Sequence, residues 1–246
     1  VGGQALGYSG SSASLAELGI TTSSAGTMIL DSAKLDAALT AGVADVAATF
    51  TRFASVPANS GLRVTGVTDD VEVGSYVVAV SSLASSGSKT SNLGAAPTIA
   101  SGSNTFMITV DGSTSGTIEI TAGAKASLSA LATELQTQIN SDSTLRSKNK
   151  SVTVSLVSGA IEIRSDSVGS SSSIRIQDAE AGTIAALGFD SVQSSNGSNL
   201  VATINGVAGT AVGNVLSGAV GSTSEGLSLN IASLHGGTIN VSQGVG

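Results

Sequence analysis

Apolar residues in this chain come in short runs that alternate or cluster over about five positions, and polar, glycine-rich stretches separate them. Val71-Glu72-Val73, Tyr76 to Val80, Phe106 to Val110 and Thr117 to Ile120 are such runs. So are Val152 to Leu156, Ile161 to Ile163, Ile174 to Ile176, Val201 to Ile204, Leu227 to Ile231 and Thr238 to Val241. A period of two places successive side chains on opposite faces of a pleated strand, so each run predicts a strand. Asp111-Gly112, Ser158-Gly159 and Asn205-Gly206 lie between runs and predict tight turns. The spacing turns helical at Leu128, Leu131, Leu135 and Ile139, with Ser127 placed to cap. A helix over 127–140 follows, its stripe laid on the chain's own sheet. Thr183 to Leu187 predicts one more helical turn, ended by Gly188.

The first sixty residues read differently. Residues 1–17 are small and polar and predict an irregular start. Leu18 to Ile20 and Thr27 to Leu30 predict two short strands around a turn at 22–26. Asp31 then stands at an N-cap position, and Leu35, Leu39 and Val43 follow at four-residue spacing, extended by Val46 and Phe50. Gly42 is expected to split this helix, and the stripe Leu35, Leu39, Val43 to pack on the next domain. Pro57, Asn59 and Gly61 mark a break, 85–103 reads as a long surface connection, and the Gly/Ser/Asn-rich stretch 191–199 reads as a second boundary. Flexible joints are expected near 57–63 and 191–199.

The fold class is therefore α+β and strand-dominated: two or three small, sandwich-like β-rich domains with one or two isolated helices. The expected division is a strand-turn-helix cassette over 1–62, a discontinuous β-rich domain over 63–100 plus 195–246, and an inserted β-rich domain over 101–194.

Composition sharpens the picture. Only 2% of the 246 residues are aromatic, so Val, Ile, Leu and Ala must fill the core, which suits thin sheet layers. Charged residues make up 11%, with a net charge of −7 and no basic run. Nucleic acid and anionic membrane are poor partners for such a surface, and no apolar stretch has the length of a membrane span. With no cysteine there are no disulfides and no thiolate metal sites. His235 is the one histidine, set in a turn before Gly236-Gly237, and provides neither a triad nor a transition-metal set. Asp69, Asp70 and Glu72 form the densest acidic cluster, but lack the ligand spacing of a calcium loop and read as a solvated turn, as do Asp178 and Glu180. Asn196-Gly197-Ser198 fits a glycosylation sequon and reads more simply as a turn. Arg146, Lys148 and Lys150 suit a helix C-terminal end. No phosphate loop or dinucleotide fingerprint occurs. The inventory argues against an enzyme: no catalytic, cofactor-binding or metal-binding residue is assigned, and no cofactor is expected.

One resemblance goes further. Leu18-Gly19-Ile20, Gly26-Thr27, Leu30-Asp31, Lys34-Leu35, Ala38-Leu39, Asp45-Val46 and Phe50 resemble a cassette of the flagellar filament cap (hook-associated protein 2) family. Gly74 to Ala84 is similar to a Gly-Ser-Tyr-x-Val-x-Val-x-x-Leu-Ala strand of that family, and Gly226 to Leu229 with Val241 to Val245 resembles the approach to its C-terminal helix. Residues 106–189 resemble a flagellin-type insertion module, whose Leu-rich helix ends in Ile139-Asn140. The cassette precedes the insertion, an order that implies a cap protein with additional outer domains. The chain starts at Val1 and is expected to be a fragment. The resemblance implies a secreted, extracellular, non-enzymatic assembly factor at the filament tip. Its implied partners are flagellin subunits and hook–filament junction proteins, with self-association into a ring in the full-length protein. A β-rich surface adhesin and a hook–filament junction or flagellin-related structural protein are the alternatives.

Overall fold

The computed structural model describes residues 14–190 and 194–243. Part of the irregular start expected over 1–17 and part of the boundary expected over 191–199 fall outside them. The chain forms two compact units. One comprises Val1–Leu83, Val201–Ala211 and Val215–Gly246; the other comprises Ala84–Leu200 and Val212–Asn214.

In the first unit, strands Ile20–Thr22 and Met28–Leu30 pair antiparallel, and two helices follow, α1 (Ser32–Ala41) and α2 (Val43–Phe50). The Asp31 carboxylate accepts the N–H groups of Ala33 and Lys34 at 3.1 and 3.3 Å, satisfying two of the donors that a helix start leaves open. Gly42 has extended backbone geometry (φ 176°) and ends α1, as its sequence position predicted. The stripe expected to pack does not. Leu35 is half-buried, Leu39 is 38% exposed and Val43 is 67% exposed. The break at Gly42 resets the helical phase, so α2 buries Val46 and Thr49 in place of Val43.

The same unit holds a five-stranded antiparallel sheet, ordered Val207–Ala208, Val201–Ile204, Gly74–Ser82, Gly237–Ser242, Phe53–Ser55. Tyr76, Val78, Ala202, Ile204, Ile239 and Val241 are buried, and Ser75, Val77, Thr238 and Asn240 between them are exposed. In a second sheet, Leu227–Ile231 pairs with both Val215–Ser217 and Leu62–Val67 and buries Leu227, Leu229 and Ile231. The Pro57–Gly61 break is pinned. Ser60 Oγ donates to the Pro57 carbonyl at 2.8 Å, and Ser233 Oγ donates to the Ser60 carbonyl at 2.8 Å.

The second unit is built on one apolar core. Thr105–Val110 lies between Ile118–Glu119 and Ser173–Asp178, and Ser195–Asn196 follows at the edge. A three-stranded sheet, Val152–Val157, Ala160–Ser165, Ser88–Thr90, stands beside it. Helix α3 (Leu128–Ser141) starts at the Ser127 hydroxyl, which accepts the Ala130 N–H at 3.0 Å, and buries Leu131, Leu135 and Ile139. These join Phe106, Ile108, Val110, Ile161, Ile163, Ile174 and Ile176 in a single cluster. Short helices α4 (Ser143–Ser147) and α5 (Thr183–Ala186) complete the unit. Residues 84–100, expected with the discontinuous domain, lie in this unit. The stretch read as a surface connection contains the strand Ser88–Thr90, paired with Ser88↔Arg164 and Thr90↔Glu162, and Thr98–Ile99, paired with Gly123–Ala124. Both strands are too short and too polar to show a period. All three predicted turns have two successive positive-φ residues: Asp111-Gly112 (48°, 78°), Ser158-Gly159 (51°, 84°) and Asn205-Gly206 (49°, 79°). That is the twist that joins right-twisted strands.

Candidate functional site

The residues singled out for chemistry are dispersed over the fold. His235 is exposed in its turn, its backbone N–H donating to Ser233 Oγ at 3.4 Å. In the acidic turn Asp69, Asp70 and Glu72 face solvent, while the loop's carbonyls point inward. Arg52 Nη1 donates to the carbonyls of Asp69 and Val71, and its Nη2 donates to Gln243 Oε1 at 3.0 Å. The Tyr76 hydroxyl lies 2.6 Å from the carbonyls of Glu72 and Thr223, and burial raises its pKa above the ordinary phenol value. This turn is held by its backbone, which leaves the carboxylates spread apart. Among the described residues no three His, Asp or Glu side chains gather where they would hold a metal ion.

The second acidic pair is also structural. Asp178 accepts the N–H groups of Ile184 and Gly182 at 2.7 and 3.3 Å and so anchors α5, and Glu180 accepts the Asn104 N–H at 3.2 Å. The sequon-like stretch is extended and not the turn expected of it: Asn196 lies in the edge strand Ser195–Asn196, and Ser198 bridges Ser85, their hydroxyls bonded to each other at 2.9 Å. A Cβ at Gly197 would stand 2.1 Å from the Ser85 carbonyl oxygen, so glycine is required there. Of the basic trio, Lys150 reaches Asp111 at 3.3 Å.

That contact belongs to a partly buried node absent from the sequence reading, in which Asp111 is a turn residue only. Its Oδ1 accepts the Ser173 N–H and the Ser165 hydroxyl, both at 2.9 Å, and its Oδ2 accepts the Ser167 hydroxyl at 2.8 Å besides Lys150. Burial pushes the Asp111 pKa up. The hydrogen bonds from Ser173, Ser167 and Ser165 and the Lys150 charge outweigh it, so the carboxyl sits below the usual aspartate value. Glu134 on α3 behaves alike. Burial opposes its ionisation, but Lys125 Nζ at 2.6 Å and the Thr121 N–H at 2.7 Å hold its pKa below normal. Nothing in local sequence announces either node, because their members lie up to 62 residues apart.

The cassette also exposes apolar side chains to solvent. In the cassette Met28, Ile29 and Leu30 are 70%, 52% and 57% exposed, alongside Leu39, Val43 and Phe50. A three-residue strand exposed along its whole length is uncommon in a free-standing domain, where such patches mark interaction surfaces. Among the described residues no helix is long and apolar enough to cross a membrane.

Fold and surface define a strand-rich structural module. The chain belongs to the flagellar hook-associated protein 2 C-terminus family, whose model matches residues 4–155. Among solved structures it is similar to the D2-D3 domains of the Escherichia coli flagellar cap protein FliD, at 20% identity, over 78% of this chain and 99% of that one, with a TM-score of 0.52. The D2-D3 domains of the Serratia marcescens flagellar cap protein (15% identity, 74% and 93% covered, TM-score 0.44) and FliD (HAP2) from Pseudomonas aeruginosa (13%, 78% and 84%, 0.39) also match. The E. coli likeness establishes a shared strand-rich fold. No curated protein matches the chain.

Proposed function

We propose that this chain is part of a filament-tip cap that promotes the folding and polymerisation of exported flagellin. The match of the hook-associated protein 2 family across residues 4–155 carries this reading. The absence, among the described residues, of any three His, Asp or Glu side chains gathered as a metal site fits it, since a cap works by shape and surface and not by bond making. In this reading the protein acts outside the cell, contacts flagellin subunits and hook–filament junction proteins, and self-associates into a ring in its full-length form. Catalysis has no part in it.

The test is deletion of the gene in its own host. The expected result is loss of motility with monomeric flagellin released into the medium, both restored by the full-length gene. Normal filaments and no released flagellin in the deletion strain would overturn the proposal. Binding of the purified chain to host glycans or mucin, in a host whose deletion strain still swims, would favour the adhesin alternative.

A further inference from the structure

The three-stranded sheet of the second unit has an open side. Val152–Val157 pairs with Ala160–Ser165 on one side and, among the described residues, with no strand on the other. In the ladder Val152, Val154 and Leu156 direct their backbone N–H and C=O groups outward, because the alternation that pairs Ser155 with Glu162 turns its neighbours away. Such an edge is a template for a further strand from another chain. Here α3 occupies it. Asn140 Nδ2 donates to the Val152 carbonyl at 2.8 Å and Asn140 Oδ1 accepts the Val152 N–H at 2.9 Å. One turn earlier, Gln136 Oε1 accepts the Val154 N–H at 2.7 Å. Two amide side chains at i and i+4 on one helix thus take three of the groups that an incoming strand would use. Toward its tip the strand is open to solvent, and Leu156 and Val157 are 44% and 46% exposed.

We infer that Gln136 and Asn140 guard this edge against antiparallel pairing with a second copy of the same chain. A side-chain amide offers the same donor and acceptor as a peptide group, so the helix mimics a neighbouring strand while ending the sheet. The occupant excluded is a second copy, because the exposed Leu156-Val157 tip supplies the apolar pairing residues on both partners. Association of this chain is thereby confined to other surfaces.

The test uses the 246-residue chain. Gln136 is exposed and makes one bond to the strand, so Gln136→Ala keeps the fold; Gln136→Ala/Asn140→Ala opens the whole edge. Amide exchange at Val154 is followed against protein concentration, with mass from sedimentation velocity. In Gln136→Ala at low concentration, exchange at Val154 speeds up about fivefold, the loss of one neutral hydrogen bond. With rising concentration, protection returns in both variants and a dimer absent from the unmodified chain appears. Adding Leu156→Pro, which removes an outward N–H and no ladder bond, abolishes that dimer. Exchange at Val154 that ignores concentration while Gln136→Ala stays folded and unchanged in mass would overturn the inference. A dimer indifferent to Leu156→Pro would do the same.

Discussion

Replacing Asp111 tests the electrostatic reading of the second unit most directly. Asp111→Ala removes the acceptor of the Ser173 N–H and of the Ser165 and Ser167 hydroxyls, and frees Lys150. Hydrogen bonds to a charged group contribute about 1.5–3 kcal/mol each. The two serine hydroxyls already lie 3.1 Å apart and can pair with each other, so their loss is partial. Lys150 is 30% exposed and returns to water at little cost. The Ser173 bond counts in full, and alanine at φ 48° adds about 1 kcal/mol of backbone strain. The expected destabilisation is about 3–4 kcal/mol. Asp111→Asn keeps one acceptor oxygen and tolerates the positive φ, so about 1–2 kcal/mol is expected. The assay is amide exchange of Ile108–Val110 and Ile174–Ile176, the strands tied by this node, because the two units can open separately. The pH dependence follows from linkage. The folded pKa is depressed, so the stabilisation is fully present above the ordinary aspartate pKa and is lost as pH falls through the folded value. The deficit of Asp111→Asn should therefore be largest near neutral pH and shrink below about pH 4. A deficit constant from pH 7 to pH 2.5, or an Asp111→Ala cost under about 1 kcal/mol, would refute the reasoning.

Three further perturbations probe other layers of the argument. Leu135→Ala empties a fully buried site in the core of the second unit and should cost about 3–4 kcal/mol in the exchange of its strands, whereas a cost under about 1 kcal/mol would mean the helix is not a core element. Gly197→Ala drives a Cβ into the Ser85 carbonyl and should separate the Ser85–Ser198 bridge, read as fast exchange of the Ser85 and Ser198 amides; unchanged protection would show that glycine is not required. Asp31→Ala removes the N-cap of α1 at about 1 kcal/mol, visible as faster exchange over Ala33–Leu35, and Asp31→Asn should restore most of it.

Much of this protein is written locally. The turns Asp111-Gly112, Ser158-Gly159 and Asn205-Gly206, the caps Asp31 and Ser127 and the Leu131–Leu135–Ile139 stripe depend on residues within a few positions of one another. Backbone sterics and short-range hydrogen bonds set them, so the sequence determines them by itself, together with the motif that marks the family. What the tertiary structure decided involves partners distant along the chain. Ser88–Thr90 is a strand only because Glu162 and Arg164 offer it an edge. Asp111 becomes a partly buried anchor only where Ser165, Ser167 and Ser173 converge on it, and Gln136 and Asn140 act as a false strand only because the fold sets α3 beside Val152–Val157. Leu39 and Val43 carry a core-like pattern yet face solvent, since periodicity records an apolar face and not what covers it. Burial and pairing are properties of two surfaces, and a linear pattern specifies one of them.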